Sequence, residues 1–377
     1  MKIRRLCLLA LVTVLAATGC VERRIFERIG LVVALGYDKG QGSILSGTSV
    51  MYTLDKESGH RATILANQAN TTKKLREDQN RKSSKKLMLG QLRVVLYEEA
   101  IARDGLIDLI DSLIRDPSIG TKIYLGVSTE KSADLLQYPY RDIRNIGTYL
   151  YDTIKQNVLE GQLISPTLHE FLRDYYTPGK DPVLPVFVRK GETIASEKAA
   201  LFQSDKMVGM LSNRDAAYLK LIRNRFKAGT FELKLDKKKL EPYLSENSAD
   251  RREHIHAVVR IVDNKQRIRL TDPDKPAYEL NMKLKFALEE ISVEINLTDP
   301  EVTRTIEKLV TDEFTKKMES VLSKMAELKT DPVGFGEIYR QSLRGGSLTK
   351  SDWYDKMSSM SVDVHLNMEL LRTGVVE

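Results

Sequence analysis

The C-terminal third of the chain contains the stretch that decides the fold: YELNMKLKFAL at residues 278–288, followed by TDPEVTRTIEKLVTDEFTKKMESVLSKMAEL at residues 298–328. In the first segment apolar residues alternate strictly with mostly polar ones, which predicts a long, half-buried antiparallel strand. Ile291, Val293 and Ile295 continue the alternation and predict a neighbouring strand.

The second segment predicts one long helix. Residues 298–301 have the composition of a capping box with a proline in the first turn, and apolar residues then recur at three- and four-residue spacing up to Leu328. About 30 residues at 1.5 Å each make a helix of ~45 Å. Residues 361–370 end the pattern with another alternating strand. We therefore predict a C-terminal antiparallel sheet packed on one long helix.

The remaining sequence alternates between strand-like and helix-like segments. Residues 29–37 (IGLVVALGY) predict a buried strand, and residues 55–86, which are polar and basic, predict a helix with one shallow apolar face. The other predicted strands are 49–54, 92–97, 122–127, 198–203 and 207–211, and the other predicted helices are 105–115, 145–160, 166–176 and 213–225. This mixture predicts an α+β fold, elongated, with two to three mixed α/β domains.

Two segments are candidate domain boundaries. Three prolines fall within TPGKDPVLP (177–185), which rules out a continuous helix, and we place a boundary after it, near Gly191. Residues 236–253 are charged and contain a proline, so they form a second candidate linker. The predicted organisation is a signal peptide (1–19), an N-terminal domain (20–191), a middle α+β region (192–245) and a C-terminal domain (246–377).

Cys20 ends a targeting signal. It follows three cations near the N-terminus, an apolar run over residues 6–17 and the small pair Thr18-Gly19, an order typical of a secretory signal peptide. A bilayer of ~30 Å needs about 20 apolar residues, so this run is too short to span it. A cysteine directly after the small residues matches the bacterial lipobox, in which the thiol receives a diacylglyceryl group. Two acyl chains hold a protein stably on a membrane.

An ordinary signal peptide, with Cys20 incidental, is the alternative, and Ala17 stands where the lipobox usually has leucine. The only other cysteine is Cys7, which leaves with the signal peptide, so the mature chain cannot form an internal disulfide. A single cysteine at the cleavage point favours lipidation.

Composition excludes several classes of protein. The full chain has 59 Lys+Arg and 52 Asp+Glu, and removing residues 1–19 takes away three positive and no negative charges, which lowers the net charge from +7 to +4. So mild a charge gives no case for nucleic-acid binding. The chain has 42% hydrophobic and 29% charged residues, which indicates a globular protein. No apolar run after Cys20 is long enough to span a bilayer.

Residues that carry chemistry are hard to find. His254 and His256 could share one face of a strand, but no third ligand has a recognisable spacing, and two solvent-facing histidines are the simpler interpretation. The glycines of residues 36–43 lack the Gly-Lys-Ser/Thr ending of a phosphate loop. Glu98-Glu99 and Glu289-Glu290 are interpreted as solvated charge. We expect no catalytic residue, no metal, no cofactor and no enzymatic activity.

The basic stretch 73–86 has two interpretations. Close to a membrane anchor it could contact anionic lipid, where each charge contributes ~1 kcal/mol. The alternative is a solvated helix face. The stretch contains no aromatic residue, which argues against single-stranded nucleic acid as its ligand.

Several segments together resemble the Ger(x)C (GerAC-type) lipoproteins of spore germination, and one departure is Val21, where that family often has tryptophan. The matching segments, in order, are Cys20 with Glu22-Arg23-Arg24, residues 34–40 (ALGYDKG), 90–95 (GQLRVV), 113–117 (LIRDP), 178–185 (PGKDPVLP), 298–301 (TDPE), 331–336 (DPVGFG), Trp353 and 371–374 (LRTG).

The resemblance implies the C subunit of a GerA-type nutrient germinant receptor. Such a subunit is anchored through its lipidated cysteine, here Cys20, to the outer face of the spore inner membrane. It lies beside an A subunit and a permease-like B subunit, and it is required for nutrient-triggered germination. The resemblance implies no catalytic centre, and no small-molecule ligand can be assigned.

Two other functions stay open at this point: a solute-binding lipoprotein of a membrane transporter, which usually has two similar α/β lobes, and an envelope enzyme. The loops at 177–186 and 331–336 are candidates for the face that contacts the other subunits, because rigid Pro/Gly segments often present recognition surfaces. The alternative is that these loops only connect domains.

Overall fold

The computed structural model describes residues 28–42, 44–52, 62–223, 229–244, 253–343 and 347–373. The predicted signal peptide and Cys20 lie outside these residues, so their predictions stay predictions. The described residues form two sheets and eleven α-helices. The α+β class predicted from the sequence, with a C-terminal sheet packed on one long helix, is confirmed.

The first sheet contains nine strands: β1 (Ile29–Lys39), β2 (Leu45–Tyr52), β3 (Thr63–Ala69), β4 (Lys86–Met88), β5 (Val94–Glu98), β6 (Tyr124–Ser128), β7 (Val183–Lys190), β8 (Thr193–Gln203) and β9 (Lys206–Ser212). Their order is β3-β2-β1-β5-β6-β7-β8-β9, and β4 pairs with the start of β1. The central strands β1, β5, β6 and β7 are parallel, whereas both flanks are antiparallel meanders.

Six helices cover the two faces of this sheet: α1 (Thr72–Lys82), α2 (Glu99–Asp104), α3 (Ile107–Ile114), α4 (Ser132–Gln137), α5 (Ile146–Leu159) and α6 (Leu168–Tyr176). Helices α1, α2, α3 and α6 share a core with one face, and α4 and α5 with the other. In β5, Val95 and Tyr97 belong to the first core, and Val94 and Leu96 to the second. Burial on both faces explains why the central strands are continuous apolar runs without alternation.

The second half begins with α7 (Asn213–Arg223), and its other elements are β10 (Thr230–Asp236), α8 (Lys237–Leu240), β11 (His254–Asp272), β12 (Ala277–Ile291), α9 (Pro300–Glu327), α10 (Phe335–Ser342), α11 (Lys350–Met357) and β13 (Ser361–Thr373). The sheet order is β10-β11-β12-β13. Apolar residues of β11, β12 and α9 form one core, which also includes Leu201 and Leu211 of the first sheet.

The long helix α9 has 28 residues and buries the residues that the apolar spacing selected. Its N-cap differs from the prediction. The Asp299 carboxylate accepts a hydrogen bond from the Glu301 N–H at 2.8 Å, while the Thr298 hydroxyl donates to Asn296. Asp299 is therefore the cap, and Pro300 occupies the first helical position, where its missing N–H costs nothing.

The prediction of a fully antiparallel C-terminal sheet is wrong for its last strand. β10, β11 and β12 are antiparallel, but β13 runs parallel to β12, from Ala277 opposite Ser361 to Leu288 opposite Thr373. Parallel neighbours need a long crossover connection. The three helices between β12 and β13 supply one and return the chain to the end of the sheet at which β12 begins, where the Ser361 N–H donates to the Pro276 carbonyl at 3.1 Å.

Two shorter segments also differ from their predictions. Residues 63–69, predicted as part of a helix, form the edge strand β3, whose half-buried and exposed side chains do not alternate strictly. Ile291 ends β12, and Ile295 makes only an isolated bridge with Leu244, so the predicted strand after β12 is absent from the described residues.

The first sheet continues through the predicted boundary near Gly191. This glycine lies in the tight turn of the β7–β8 hairpin, with a φ of +57°, and β8 and β9 complete the sheet. In the stretch predicted as a middle α+β region, 192–245, residues 193–212 belong to the first sheet and residues 230–236 to the second.

Candidate functional site: the junction of the two halves

The two histidines considered as metal ligands from the sequence do not form part of a metal site among the described residues. His254 and His256 lie on the outer face of β11, alternating with the buried Ile255 and Ala257, and His256 Nδ1 lies 3.4 Å from the Glu232 carboxylate. Among the described residues no group of three or more histidine, cysteine, aspartate or glutamate side chains could hold a metal ion.

The paired carboxylates separate into different contacts. Glu98 accepts a hydrogen bond from the Lys39 N–H at 2.7 Å, while Glu99 pairs with Arg103 at 2.6 Å. Glu289 pairs with Arg260 across the β11–β12 ladder. Each of these carboxylates has its own cation or N–H donor, so none is placed to exchange protons with a neighbouring carboxylate.

The two Pro/Gly loops, 177–186 and 331–336, lie against each other. Asp181 in the first loop and Asp331 in the second are both fully buried, and the Asp181 N–H donates to the Asp331 carbonyl at 2.9 Å. The Asp331 N–H returns a hydrogen bond to the Asp181 carboxylate at 2.8 Å. This reciprocal pair connects the end of the first half's α6–β7 loop to the loop after α9.

The Asp181 carboxylate is saturated with donors. Besides Asp331, it accepts from the Ser204 N–H at 2.7 Å and from the Tyr354 hydroxyl at 2.6 Å. Burial raises the pKa of Asp181, and these hydrogen bonds oppose the increase because they stabilise the ionised form. One carboxylate thus links the α6–β7 loop, the β8–β9 turn, the loop after α9 and α11.

The Asp331 carboxylate shapes its own loop. It accepts hydrogen bonds from the N–H groups of Gly334 at 2.7 Å and Gly336 at 2.8 Å, which fixes the turn into α10. Gly334 has a φ of +95°, a conformation that favours glycine. Burial raises the pKa of Asp331 to about 7, the charge of Asp181 acts in the same direction, and the two N–H donors act in the opposite direction.

Gly179 and Gly336 bring the two backbones into contact. Gly179 has a φ of +82°, and a Cβ atom added to it would lie 2.2 Å from the Gly336 carbonyl carbon. A Cβ on Gly336 would lie 2.5 Å from the Gly179 Cα and 2.6 Å from the ring of the fully buried Trp353. The Gly179 carbonyl accepts from the Glu337 N–H at 3.1 Å. Only glycines fit at both positions.

The β8–β9 turn forms the other side of this contact. Gln203 Nε2 donates to the Lys329 carbonyl at 3.0 Å, and the Thr330 hydroxyl donates to the Phe202 carbonyl. Lys350 Nζ donates to the Ser204 hydroxyl at 3.0 Å and lies 3.9 Å from the centre of the Tyr175 ring. We use the name junction for the residues in these contacts: 175, 179–182, 202–204, 329–337, 350, 353 and 354.

The junction connects the two halves and keeps its carboxylates away from solvent. Its carboxylates are buried and fully hydrogen-bonded, so a substrate in solvent cannot reach them. Residues 330–336 and 181–186 are all buried. The hypothesis that these loops present a recognition surface is therefore wrong for those residues, and the alternative, that the loops connect the two halves, describes what they do.

Two family comparisons cover almost the whole chain. The N-terminal domain of spore germination proteins matches residues 22–189, and the "spore germination B3/GerAC like" C-terminal domain matches residues 197–374. The chain belongs to the GerAC-like family of spore germination proteins. The resemblance inferred from the sequence motifs is confirmed.

Relatives of this GerAC-like chain match over nearly their full length. Spore germination protein GerQC of Bacillus cereus is 26% identical over 95% of this chain and 96% of its own. Spore germination protein KC of Bacillus subtilis (strain 168) is 22% identical over 98% and 97%. The crystal structure of the GerBC protein covers 89% of this chain and 96% of its own, with a TM-score of 0.50 and 15% identity, which indicates a shared fold.

Motifs that identify the GerAC-like family converge on the junction. Segments 178–185 and 331–336 and Trp353 meet there, although 145 residues separate the two loops in the sequence. A further motif residue, Asp38, is buried and accepts hydrogen bonds from the N–H groups of Ser132 at 2.5 Å and Ala133 at 3.0 Å at the start of α4. These motifs therefore mark points at which elements are joined.

Sequence reasoning missed several junction residues in this GerAC-like chain. Ser204 contributes a backbone N–H and a hydroxyl, and the Tyr354 hydroxyl reaches Asp181. A backbone N–H has no sequence signature, since every residue except proline has one. Tyr354 could have been suspected only because it follows Trp353.

A cleft of about 760 Å³ lies between the halves of the GerAC-like chain, away from the junction. α5, β8 and the start of α7 form one side of it, and β10 and α9 form the other. Its rim contains positively and negatively charged side chains, among them Arg214 and Glu232, which form an ion pair at 2.7 Å. Two buried acceptors in its wall, the Ser196 hydroxyl and the Asn213 side-chain carbonyl, have no partner among the described residues.

Proposed function

We propose that this chain is the lipid-anchored C subunit of a GerA-type nutrient germinant receptor, required for nutrient-triggered spore germination. The observation that carries the proposal is family membership over both halves, together with full-length similarity to the spore germination proteins GerQC and KC. A chain that matched only one half could have borrowed a domain for another role.

The proposed role is non-catalytic. In the residues described, the most buried carboxyl groups, Asp181 and Asp331, are consumed by hydrogen bonds that join loops. A rigid connection between two halves suits a subunit that transmits or stabilises a state of a complex.

The proposed partners are an A subunit and a permease-like B subunit, and the proposed location is the outer face of the spore inner membrane. Cys20, carrying diacylglycerol, would hold the chain there. No helix among the described residues is both long enough and apolar enough to cross a membrane.

Deletion of the gene tests the role directly. Spores that lack the chain should lose germination in response to the receptor's nutrient while they still respond to a non-nutrient trigger, and the wild-type gene should restore the response. Co-purification from spore membranes, followed by mass spectrometry, should recover an A and a B subunit. Normal nutrient germination in a strain without related receptors would refute the proposal.

A solute-binding lipoprotein of a transporter is the second candidate, and the cleft of about 760 Å³ is the observation that favours it, because ligand sites have similar volumes. The halves, however, are unlike: one is built on nine strands and the other on four, whereas solute-binding proteins usually have two similar lobes. Calorimetric titration with amino acids and sugars separates the two candidates. Tight, stoichiometric binding would favour solute delivery.

A further inference from the structure

The chain enters the first sheet beside its most basic segment. β1 starts at Ile29, which is paired in register with Lys86 of β4, and Gly30 and Leu31 follow opposite Leu87 and Met88. Helix α1 ends at Lys82, immediately before β4, so its last turn lies at the same end of the sheet. The sequence alone did not place residues 73–86 next to the point where the chain enters the fold.

Only some of the cations at this end of the sheet are paired with a carboxylate. Asp78 pairs with Lys74 at 2.9 Å and Arg81 at 2.5 Å, and Arg76 pairs with Asp116 at 2.7 Å. The cations that remain, Arg28, Lys82, Lys85 and Lys86, have no carboxylate within ion-pair distance among the described residues. Lys82 also complements the carboxyl end of α1, but Lys85 and Lys86 lie beyond the helix and have no such role.

An exposed aromatic residue lies among these cations. Tyr52, the last residue of β2, is opposite Leu31 and is 42% exposed. Tyr52, Lys82, Ser84 and Lys85 line a shallow depression of about 160 Å³ around Gly30. Lysines around a hydroxyl-bearing depression suit a phosphate-containing headgroup, and tyrosine is enriched at the level of membrane headgroups.

We propose that the basic edge, defined as Arg28, Tyr52, Lys82, Lys85 and Lys86, lies against anionic lipid headgroups. The inference rests on the lipid anchor of the proposed function, because Cys20 precedes Ile29 by nine residues. A fully extended chain of this length spans at most about 30 Å. The anchor therefore confines this end of the first sheet to the vicinity of the membrane, and the unpaired cations fix which surface faces it.

Vesicle binding without the anchor tests the basic edge. The mature chain, residues 20–377 with Cys20→Ser, is mixed with vesicles of phosphatidylglycerol and phosphatidylcholine, or of phosphatidylcholine alone, and bound protein is measured by sedimentation. We expect binding to the anionic vesicles only. The triple variant K82Q/K85Q/K86Q should bind ~100-fold more weakly, at ~1 kcal/mol for each lysine. Raising the salt from 0.1 M to 1 M should abolish binding, since the Debye length falls from ~10 Å to ~3 Å.

A matched variant controls for net charge. K275Q/K283Q/K316Q removes the same charge from exposed lysines of the second half, and it should bind like the wild type. Equal weakening by both triple variants, or binding that does not depend on anionic lipid, would overturn the proposal. So would displacement by millimolar inorganic phosphate at constant ionic strength, which would indicate a site for free anions.

The result of the vesicle-binding experiment does not depend on whether the chain is a receptor subunit. The tested chain has no lipid, so a failure of lipidation at Cys20 would leave the vesicle result unchanged. Absence of A and B subunits from a purified complex would likewise refute the proposed function without affecting the basic edge. Loss of vesicle binding alone refutes only the orientation.

Discussion

Asp181 and Asp331 illustrate how acidic side chains can be buried without a cation. Each carboxylate accepts hydrogen bonds from two or three N–H or O–H donors, and these replace the water that burial removes. Burying an unpaired charge normally costs several kcal/mol. The pKa of such a group therefore shifts in the direction that favours its neutral form. Here the donors and the two carboxylates belong to four different segments, so the cost of burial is offset only when all four segments are in place.

The raised pKa of Asp331 predicts a pH dependence of stability. In the unfolded chain the carboxyl group titrates near its usual value of 3.8, and in the folded protein near 7. Between these values the folded protein binds more protons, so the free energy of unfolding should decrease as the pH rises from about 4 to about 7, by an amount on the order of a few kcal/mol. Urea denaturation at a series of pH values measures it.

Asp331→Asn isolates this contribution. The amide cannot titrate, so the difference between the wild-type and variant curves should contain the decrease, and an equal slope in both would contradict the assignment. The variant should also be less stable at every pH, because its NH₂ group faces an N–H donor of Gly334 or Gly336. Asp142→Asn, at an exposed position, is the control and should preserve the wild-type slope.

Gly179 predicts a steric effect that can be separated from backbone strain. Gly179→Ala introduces a Cβ at 2.2 Å from the backbone of Gly336, whereas Gly191→Ala introduces one into open space, and both glycines have positive φ. Strain alone costs roughly 1–2 kcal/mol in each variant. The collision should add about 1–3 kcal/mol for Gly179→Ala only. Chemical denaturation measures both, and equal losses of stability would show that the two loops do not depend on close contact.

At the scale of single elements, the long helix α9 stabilises the second half. Its buried face packs on the sheet, and Phe314 contacts Tyr218 of α7 and Phe231 of β10, with ring centres 5.1 and 5.0 Å apart. These three rings join the long helix to α7, which follows the last strand of the first sheet. The helix therefore stabilises its own sheet and the transition between halves.

Phe314→Ala should destabilise the protein by about 3–5 kcal/mol, because it removes a fully buried ring and leaves a cavity between three elements. Lys316→Ala on the exposed side of the same helix should change the free energy of unfolding by less than about 0.5 kcal/mol. Urea denaturation, followed by circular dichroism, gives both values. A loss for Phe314→Ala as small as that of the control would mean that the helix is not held by this cluster.

The sequence predicted those helices and strands that bury one face. It did not predict those whose structure or direction depends on contacts with neighbouring elements. The alternation of residues 278–288 and the spacing in α9 identified their strand and helix, because each period reports one buried face. The edge strand β3 was missed, since its half-buried and exposed side chains do not alternate strictly and its position depends on pairing with β2. The direction of β13 was also missed, because alternation is the same in parallel and antiparallel strands. Nothing in the sequence of either Pro/Gly loop indicates that the other loop is its partner.

At the scale of the whole molecule, the two halves are connected in two ways: by a shared apolar core around α7 and α9, and by the polar junction. The core is tolerant of small shifts, since apolar contacts have no strict direction. The junction is not, because its hydrogen bonds and the Gly179–Gly336 contact are satisfied in one arrangement. The segments that carry the resemblance to the GerAC-like family meet at this place, so the junction fixes the relative position of the two halves.

The proposed lipid anchor at Cys20 predicts the effect of removing its thiol. Cys20→Ala removes the thiol that would receive the diacylglyceryl group, and the fold should be unaffected because the mature chain has no second cysteine with which Cys20 could form a disulfide. In spores we expect the variant to lose metabolic labelling with palmitate, to move from the membrane to the soluble fraction and to impair nutrient-triggered germination. Cys7→Ala, in the segment that is predicted to be removed, is the matched control and should behave like the wild type. Membrane retention is measured in a strain that lacks the A and B subunits, since these could retain an unlipidated chain by contact, whereas germination is measured in a strain that has both. Full membrane retention of Cys20→Ala in that strain would show that the lipid is not the anchor.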